Sequence, residues 1–221
     1  YQGGEKIDVN LMYDMHSHIL WGMDDGAKSI ESSIAMGSIS HREGVRAVIA
    51  TPHFREEENP DKFLTKVEKK IERLDSYLEP LGIDIKIYPG AEVHLDPGLI
   101  DSHLLHRLTL ARSRYILIEL PSMQVPHFTE DFLYRLQLKG LIPIIAHPER
   151  NRAIIEDPNL LFNMVDSGSL AQITAGSLYG LFGSKVRECA RVLATHNMIH
   201  MVGTDAHSED GRAPYMLRAK D

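Results

Sequence analysis

The feature that most constrains this 221-residue chain is an alternation: short apolar or β-branched runs recur along it, with helical stretches between them. The runs cover residues 11–16, 46–51, 84–89, 115–120, 142–146, 170–174 and 199–203, and each has the length and composition of a strand covered on both faces. Residues 29–43, 60–78, 129–139, 158–167 and 184–196 carry apolar side chains at helical spacing, as in Phe63, Val67, Ile71, Leu74 and Leu78. Strands joined by helices pair in parallel, because a crossover returns the chain to the same end of the sheet. The expected fold is α/β, a closed or nearly closed β/α barrel with an odd strand count, preferred over an open doubly wound sheet. With 43% hydrophobic residues and no internal repeat or low-complexity linker, residues 11–221 are expected to share one core in one domain.

Composition narrows the function. A formal charge of -7 argues against affinity built on neutralising many nucleic-acid phosphates. A single cysteine, Cys189, cannot form an internal disulfide, and no secretory signal or apolar run of about 18 residues is present. A cytoplasmic protein without membrane insertion is expected. The chain begins without Met, and its polar first ten residues, 1–10, read as an arm or tag remnant.

Chemistry concentrates at the strand tails. The first run ends in His16-Ser17-His18, where residues two apart in extended backbone share a face and can address one metal. The second leads to His53, the third to Glu92 and His94, and the fourth ends at Glu119. The fifth is followed by His147-Pro148-Glu149-Arg150, and the seventh by Asp205-Ala206-His207. A single strand-end histidine or H-x-H pair is more often structural than ligating. Six strand tails at one end are different, since the C-terminal strand face is where β/α barrels build active sites. Histidines 41, 103, 106, 127, 196 and 200 fall outside this pattern and read as helix, loop or surface residues, with His94 on the rim.

Imidazole and carboxylate donors without thiolate suit Mn²⁺, Fe²⁺ or Zn²⁺. The donors exceed what one ion can use, and clustered ions favour phosphoester hydrolysis by metal-activated water attacking in line. A cysteinyl-phosphate route needs an arginine six residues after the nucleophile, and the residue six after Cys189 is Thr195. Cys189 therefore reads as a small buried apolar side chain.

These residues resemble the PHP (polymerase and histidinol phosphatase) superfamily. The runs Tyr13 to Leu20, Asp24 to Ser29, Ala50 to Phe54, Leu117 to Pro121 and Ile145 to Arg150 resemble more closely the bacterial PHP-type protein-tyrosine phosphatases of capsular and exopolysaccharide clusters. The resemblance spans about residues 13–212. It implies a distorted seven-stranded, TIM-like barrel carrying three divalent ions, usually Mn²⁺, that dephosphorylates the Tyr-rich C-terminal tail of an autophosphorylated tyrosine kinase. Carried over by position, one ion takes His16, His18, Glu92 and Asp205; Glu92 bridges to a second on Glu119 and His147; a third takes Asp25, His53 and His207. Asp24 competes with Asp25 for the last role, and Arg150 and Arg212 match two phosphate-holding arginines. After His207 the family continues in a longer helical tail than this chain has.

The same donors could serve a small-molecule phosphatase of the histidinol-phosphatase kind, an exonuclease, or a non-catalytic metal-binding regulatory barrel. Net charge disfavours the exonuclease, and the complete donor set disfavours the non-catalytic protein. The sequence leaves oligomeric state open.

Overall fold

The computed structural model describes residues 12–55, 58–102 and 104–219. The expected arm at residues 1–10 and His103 lie outside these. The apolar runs form parallel strands throughout: β1 (Met12–Ser17), β2 (Val45–Ala50), β3 (His53–Phe54), β4 (Lys86–Pro89), β5 (Glu92–His94), β6 (Tyr115–Glu119), β7 (Ile142–Ala146), β8 (Leu170–Thr174) and β9 (Met201–Gly203). The helices are α1 (Ile30–Arg42), α2 (Pro60–Leu78), α3 (Thr129–Leu138), α4 (Arg152–Glu156), α5 (Asn159–Asp166), α6 (Ala175–Tyr179) and α7 (Ser184–Thr195). Among the described residues, no helix is long and apolar enough to cross a membrane.

Helix starts follow their caps. Ser29 accepts from the Ser32 amide to open α1, and Asn59 accepts from the Lys62 amide to open α2, with Pro60 in the first turn. Apolar spacing carries no sign of α4, which Asn151 caps by accepting from the Ile154 amide, or of the short α6. Between β5 and β6 the described residues form 3-10 turns and no α-helix.

Hydrogen bonding divides the strands into a three-stranded sheet, β1-β2-β4, and a six-stranded one, β3-β5-β6-β7-β8-β9. The seven expected strands therefore stand as nine, in two sheets. Pro52, which has no amide hydrogen, separates β2 from β3, and the Gly90 to Ala91 step separates β4 from β5. At the other junction β1 meets the segment after β9: Ser17 bridges Ala206, and the amides of His18 and Asp205 donate to Ala206 O and His16 O at 2.9 and 2.7 Å. Asp14, fully buried, reinforces that seam by accepting from the Thr204 amide at 2.8 Å and hydroxyl at 2.5 Å.

Alternation along the strands sorts side chains into two layers. Val48, Val93, Ile116, Ile118, Ile145 and Ala171 face outward and join the main core with Phe63, Val67, Leu74, Leu136 and Leu193 of the helices. Ile49, Leu117, Ile144 and Ala146 face the other way and form a smaller cluster with Leu110. Glu119 lies two residues beyond Leu117, Gln172 two beyond Leu170 and Gly203 two beyond Met201, so the apolar floor leads directly into the polar end.

Gly203 is a tight point of this arrangement, since a Cβ there would stand 2.6 Å from His16 Cβ and 3.1 Å from His16 N. Gly203→Ala is expected to destabilise the fold by about 1–3 kcal/mol, the usual cost of overpacking. Urea unfolding with unchanged m-value would measure it; a change within about 0.5 kcal/mol would show that β1 yields freely.

Candidate metal centre

The polar end holds three overlapping groups of donors whose atoms lie within 4.8 Å of one another: His16, His18, Glu92 and Asp205; His18, Asp25, His53 and His207; and His53, Glu92 and Glu119. In the first, Nε2 of His16 and of His18 are 3.2 Å apart. Each is 3.2–3.4 Å from Glu92 Oε2 and Asp205 Oδ1.

The far side of each ring fixes what these atoms present. Gln172 donates from Nε2 to Ile173 O at 2.6 Å, which orients its amide so that Oε1 accepts from His16 Nδ1 at 2.9 Å. Asp24 Oδ2 accepts from His18 Nδ1 at 2.7 Å. With both protons on Nδ1, two Nε2 lone pairs face each other and two carboxylate oxygens. Neutral histidines so arranged repel; a cation between them removes the conflict. The spacings match the edge of a donor tetrahedron around an ion at about 2.0–2.1 Å, roughly 3.3–3.4 Å. Glu92 Oε2 is buried without a hydrogen-bond partner, so its lone pairs are left for such a cation.

Charge in the site answers the same demand. Burial opposes ionisation of His16, yet Glu92 and Asp205 overcome it and raise its pKa; His18 is raised further by Asp205, Asp24 and Glu92. Glu92 and Asp205 are each 1% exposed, and burial pushes them upward. The His16 charge outweighs that burial, helped by the His147 hydrogen bond at Glu92 and by Arg150 at Asp205, and holds both well below the carboxylate range.

The second and third groups share residues with the first. His147 Nε2 lies 2.7 Å from Glu92 Oε1 but 3.9 Å from Glu119, whereas His53 Nδ1 lies 3.1 Å from Glu92 and 3.6 Å from Glu119. His53 also turns Nε2 to Asp25 Oδ1 at 3.4 Å, the distance His207 Nε2 keeps from the same oxygen. Burial and the neighbouring His18 and Arg212 lower the His207 pKa to about 4, which keeps that ring neutral. Asp25 is thus the aspartate among the donors. Asp24 instead fastens His18 and accepts from the amides of Gly26 and His53, and those contacts overcome burial to lower its pKa to about 2.

Two donors reach the centre through left-handed backbone: His147 has φ 33° and Asp205 φ 50°. Arg150 and Arg212 close the mouth, with Nη2 of each on Asp205 Oδ2, at 2.7 and 2.5 Å. Both guanidinium carbons lie over Phe182, at 4.9 and 5.8 Å from the ring centroid. His94 stands at the rim, 51% exposed. His196 caps its own helix, and His200 accepts from the Ala171 amide.

Sequence reasoning missed Gln172, Phe182 and the seam carboxylate Asp14. Gln172 could have been found, because a glutamine at an inward position of an apolar strand needs a polar partner; Phe182 carries no such sign.

If Asp24 holds the His18 ring for coordination, Asp24→Asn is expected to weaken divalent metal binding by about 10–100-fold with secondary structure unchanged. Calorimetric titration with Mn²⁺ measures this, and wild-type affinity in the variant would leave Asp24 as a loop brace only.

The chain is similar to known proteins over most of its length. Tyrosine-protein phosphatase YwqE of Bacillus subtilis (strain 168) is 42% identical over 202 residues, covering 89% of this chain and 78% of that protein. Tyrosine-protein phosphatase CpsB of Streptococcus pneumoniae is 31% identical over 218 residues, covering 95% and 88%. A crystal structure from work on these two proteins, described there as metal-dependent tyrosine phosphatases, aligns with TM-score 0.87 at 40% identity, over 94% of this chain and 84% of that one. The family described as "Capsular polysaccharide synthesis, CpsB/CapC" matches residues 12–221, and this chain belongs to it.

Proposed function

We propose that this protein is a metal-dependent protein-tyrosine phosphatase acting in the cytoplasm on a phosphorylated tyrosine kinase of capsule or exopolysaccharide synthesis. The observation that carries the reading is the convergence of His16 and His18 Nε2 on the carboxylates of Glu92 and Asp205, a donor set that needs a cation and has no structural use for one on the barrel rim. Kinship with proteins named tyrosine phosphatases supports the substrate class.

Three divalent ions, Mn²⁺ in preference to Fe²⁺ or Zn²⁺, fit the donors. His16, His18, Glu92 and Asp205 would hold one; Glu92, Glu119 and His147 a second; Asp25, His53 and His207 a third. When bound, such ions supply Lewis-acid charge and a nucleophilic water at neutral pH. The protein's own groups do the rest. Gln172 and Asp24 keep the two imidazoles in the donor tautomer. Arg150 and Arg212, parked on Asp205 Oδ2, are positioned to offer paired N–H donors to phosphoryl oxygens as charge builds there. A phenolate leaving group, of parent pKa about 10, departs with less proton donation than an alkoxide, which favours phosphotyrosine.

The barrel reading belongs with this proposal. Taking β2 with β3 and β4 with β5 as interrupted single strands reduces the nine to seven, and the Ser17 to Ala206 bridge joins first to last.

Elemental analysis of active protein is expected to give more than one equivalent of transition metal, and His16→Ala or Asp205→Ala to remove most activity. Turnover is expected for phosphotyrosine peptide well above phosphoserine peptide and histidinol phosphate; a preference for histidinol phosphate would move the protein to the small-molecule class. Arg150→Ala is expected to lower kcat/KM by roughly 10² at unchanged metal content, with lysine restoring only part. An alanine variant within a few-fold of wild type would return Arg150 to the pool of surface arginines.

Cys189 supplies the control. It is buried in α7, and burial, with the Glu149 charge, raises its pKa to about 11. Cys189→Ser and thiol alkylation are therefore expected to leave the rate unchanged; an inactive serine variant with normal metal content would contradict the metal-dependent route.

A further inference from the structure

A groove of about 620 Å³ runs between Trp21 and the outer face of α2, and five cations line it: Lys62, Lys66, Lys69, Lys70 and Arg73. The helix segregates its charges. Lys62, Lys66 and Lys70 follow one another at four-residue spacing, as do Lys69 and Arg73, so like charges stack where alternating signs would stabilise the helix. Of its four acidic residues, Asp61, Glu68, Glu72 and Asp75, Asp61 also lines the groove but pairs with Arg107, and Glu68 pairs with Arg112. Among the described residues, none of the five cations takes part in an ion pair with an acidic side chain.

Trp21 forms the opposite wall. Lys70 Nζ donates to Trp21 O at 2.7 Å and lies 4.1 Å from the centroid of its ring, with Arg73 at 5.8 Å. Burial, with Lys66 and Arg73 close by, lowers the Lys70 pKa, as expected where positive charge lacks a counterion. Trp21 precedes Asp24 by three residues, so the groove begins within about 11 Å of the donor loop, the greatest span of three extended residues. Asp24, Asp25 and His53 line a second pocket with Met23, Arg55 and Glu58.

We propose that this groove is a docking subsite for acidic residues flanking the phosphotyrosine of a protein substrate, a few positions along the peptide. The inference rests on the phosphatase reading above and adds sequence preference to it. A chain of net charge -7 repels acidic segments in general, so accepting one requires a local basic surface. A concave site with its aromatic half-buried fits an extended peptide better than a flat bilayer, which would require apolar side chains standing out from the surface.

Trp21 is the only tryptophan, so its emission reports the groove without any need for turnover. Titrating the metal-loaded protein with an unphosphorylated peptide carrying glutamates on both sides of a tyrosine is expected to change that emission saturably at low salt. The response should be lost near 0.5 M salt (about a 4–5 Å screening length), and a glutamine-flanked peptide should be silent. The exposed triple variant Lys62→Gln, Lys66→Gln, Lys69→Gln is expected to weaken this binding by about tenfold. With the phosphorylated peptides, wild type is expected to favour the glutamate-flanked one through KM, and the triple variant to lose that ratio.

Silent emission, or a ratio that survives the three substitutions, overturns the proposal. Absence of turnover with every phosphopeptide would instead sink the phosphatase reading, while the emission titration would still decide the groove. Cosedimentation with phosphatidylserine vesicles provides the other arm: protein remaining in the supernatant supports a peptide site, and pelleting abolished by the triple variant replaces it with a membrane site.

Discussion

The structure depends on a local conflict: two carboxylates and the lone pairs of two imidazoles share one dry volume at the strand ends. Glu92 and Asp205 are each 1% exposed, and an isolated buried carboxylate costs several kcal/mol. Nothing in the apolar floor compensates for that. Positive charge does, as a proton on an imidazole or as a metal ion, and the opposing pKa directions of the histidines and the acids express the same requirement. Once the cluster must hold a cation, the roles of its neighbours follow. Gln172 and Asp24 fix tautomers, and Asp205 divides its oxygens, one toward the imidazoles and one toward the arginines.

Backbone geometry shares in this. Period-two alternation carries Glu92, Glu119 and Gln172 onto the inner face without further help, but His147 and Asp205 follow their strands at the wrong phase or beyond the ladder. Each turns inward through left-handed φ, a conformation that costs a non-glycine residue of order 1–3 kcal/mol and persists where the surroundings enforce it. The enforcing contacts are visible. Asp205 N donates to His16 O, Thr204 is held by buried Asp14, and His147 O accepts from the Arg150 amide.

Charge is also distributed unevenly over the surface. Arg150 and Arg212 lie over Phe182, a lysine-rich face of α2 lies against Trp21, and both stand out against a net-acidic chain. On the reading proposed above, basic surface of this kind would attract an anionic substrate that the rest of the chain repels.

The sequence by itself determined the α/β class, the parallel pairing and the end of the sheet at which the chemistry gathers. All three follow from local periodicity: apolar runs at strand length, Phe63 to Leu78 at helical spacing, and His16, His18, Glu92, Glu119, His147 and Asp205 at the tails of those runs. Only the tertiary structure decided that Asp25 and not Asp24 faces His53 and His207, that His53 looks to two groups at once, and that Gln172, Asp14 and Phe182 belong to the site. It also decided that Pro52 and the Gly90 step break the ladder into two sheets. Those outcomes turn on distances of a few tenths of an ångström between residues far apart in the chain. Periodicity reports which face a side chain occupies; which atom it meets there is fixed only when the strands take their register and the loops between them close.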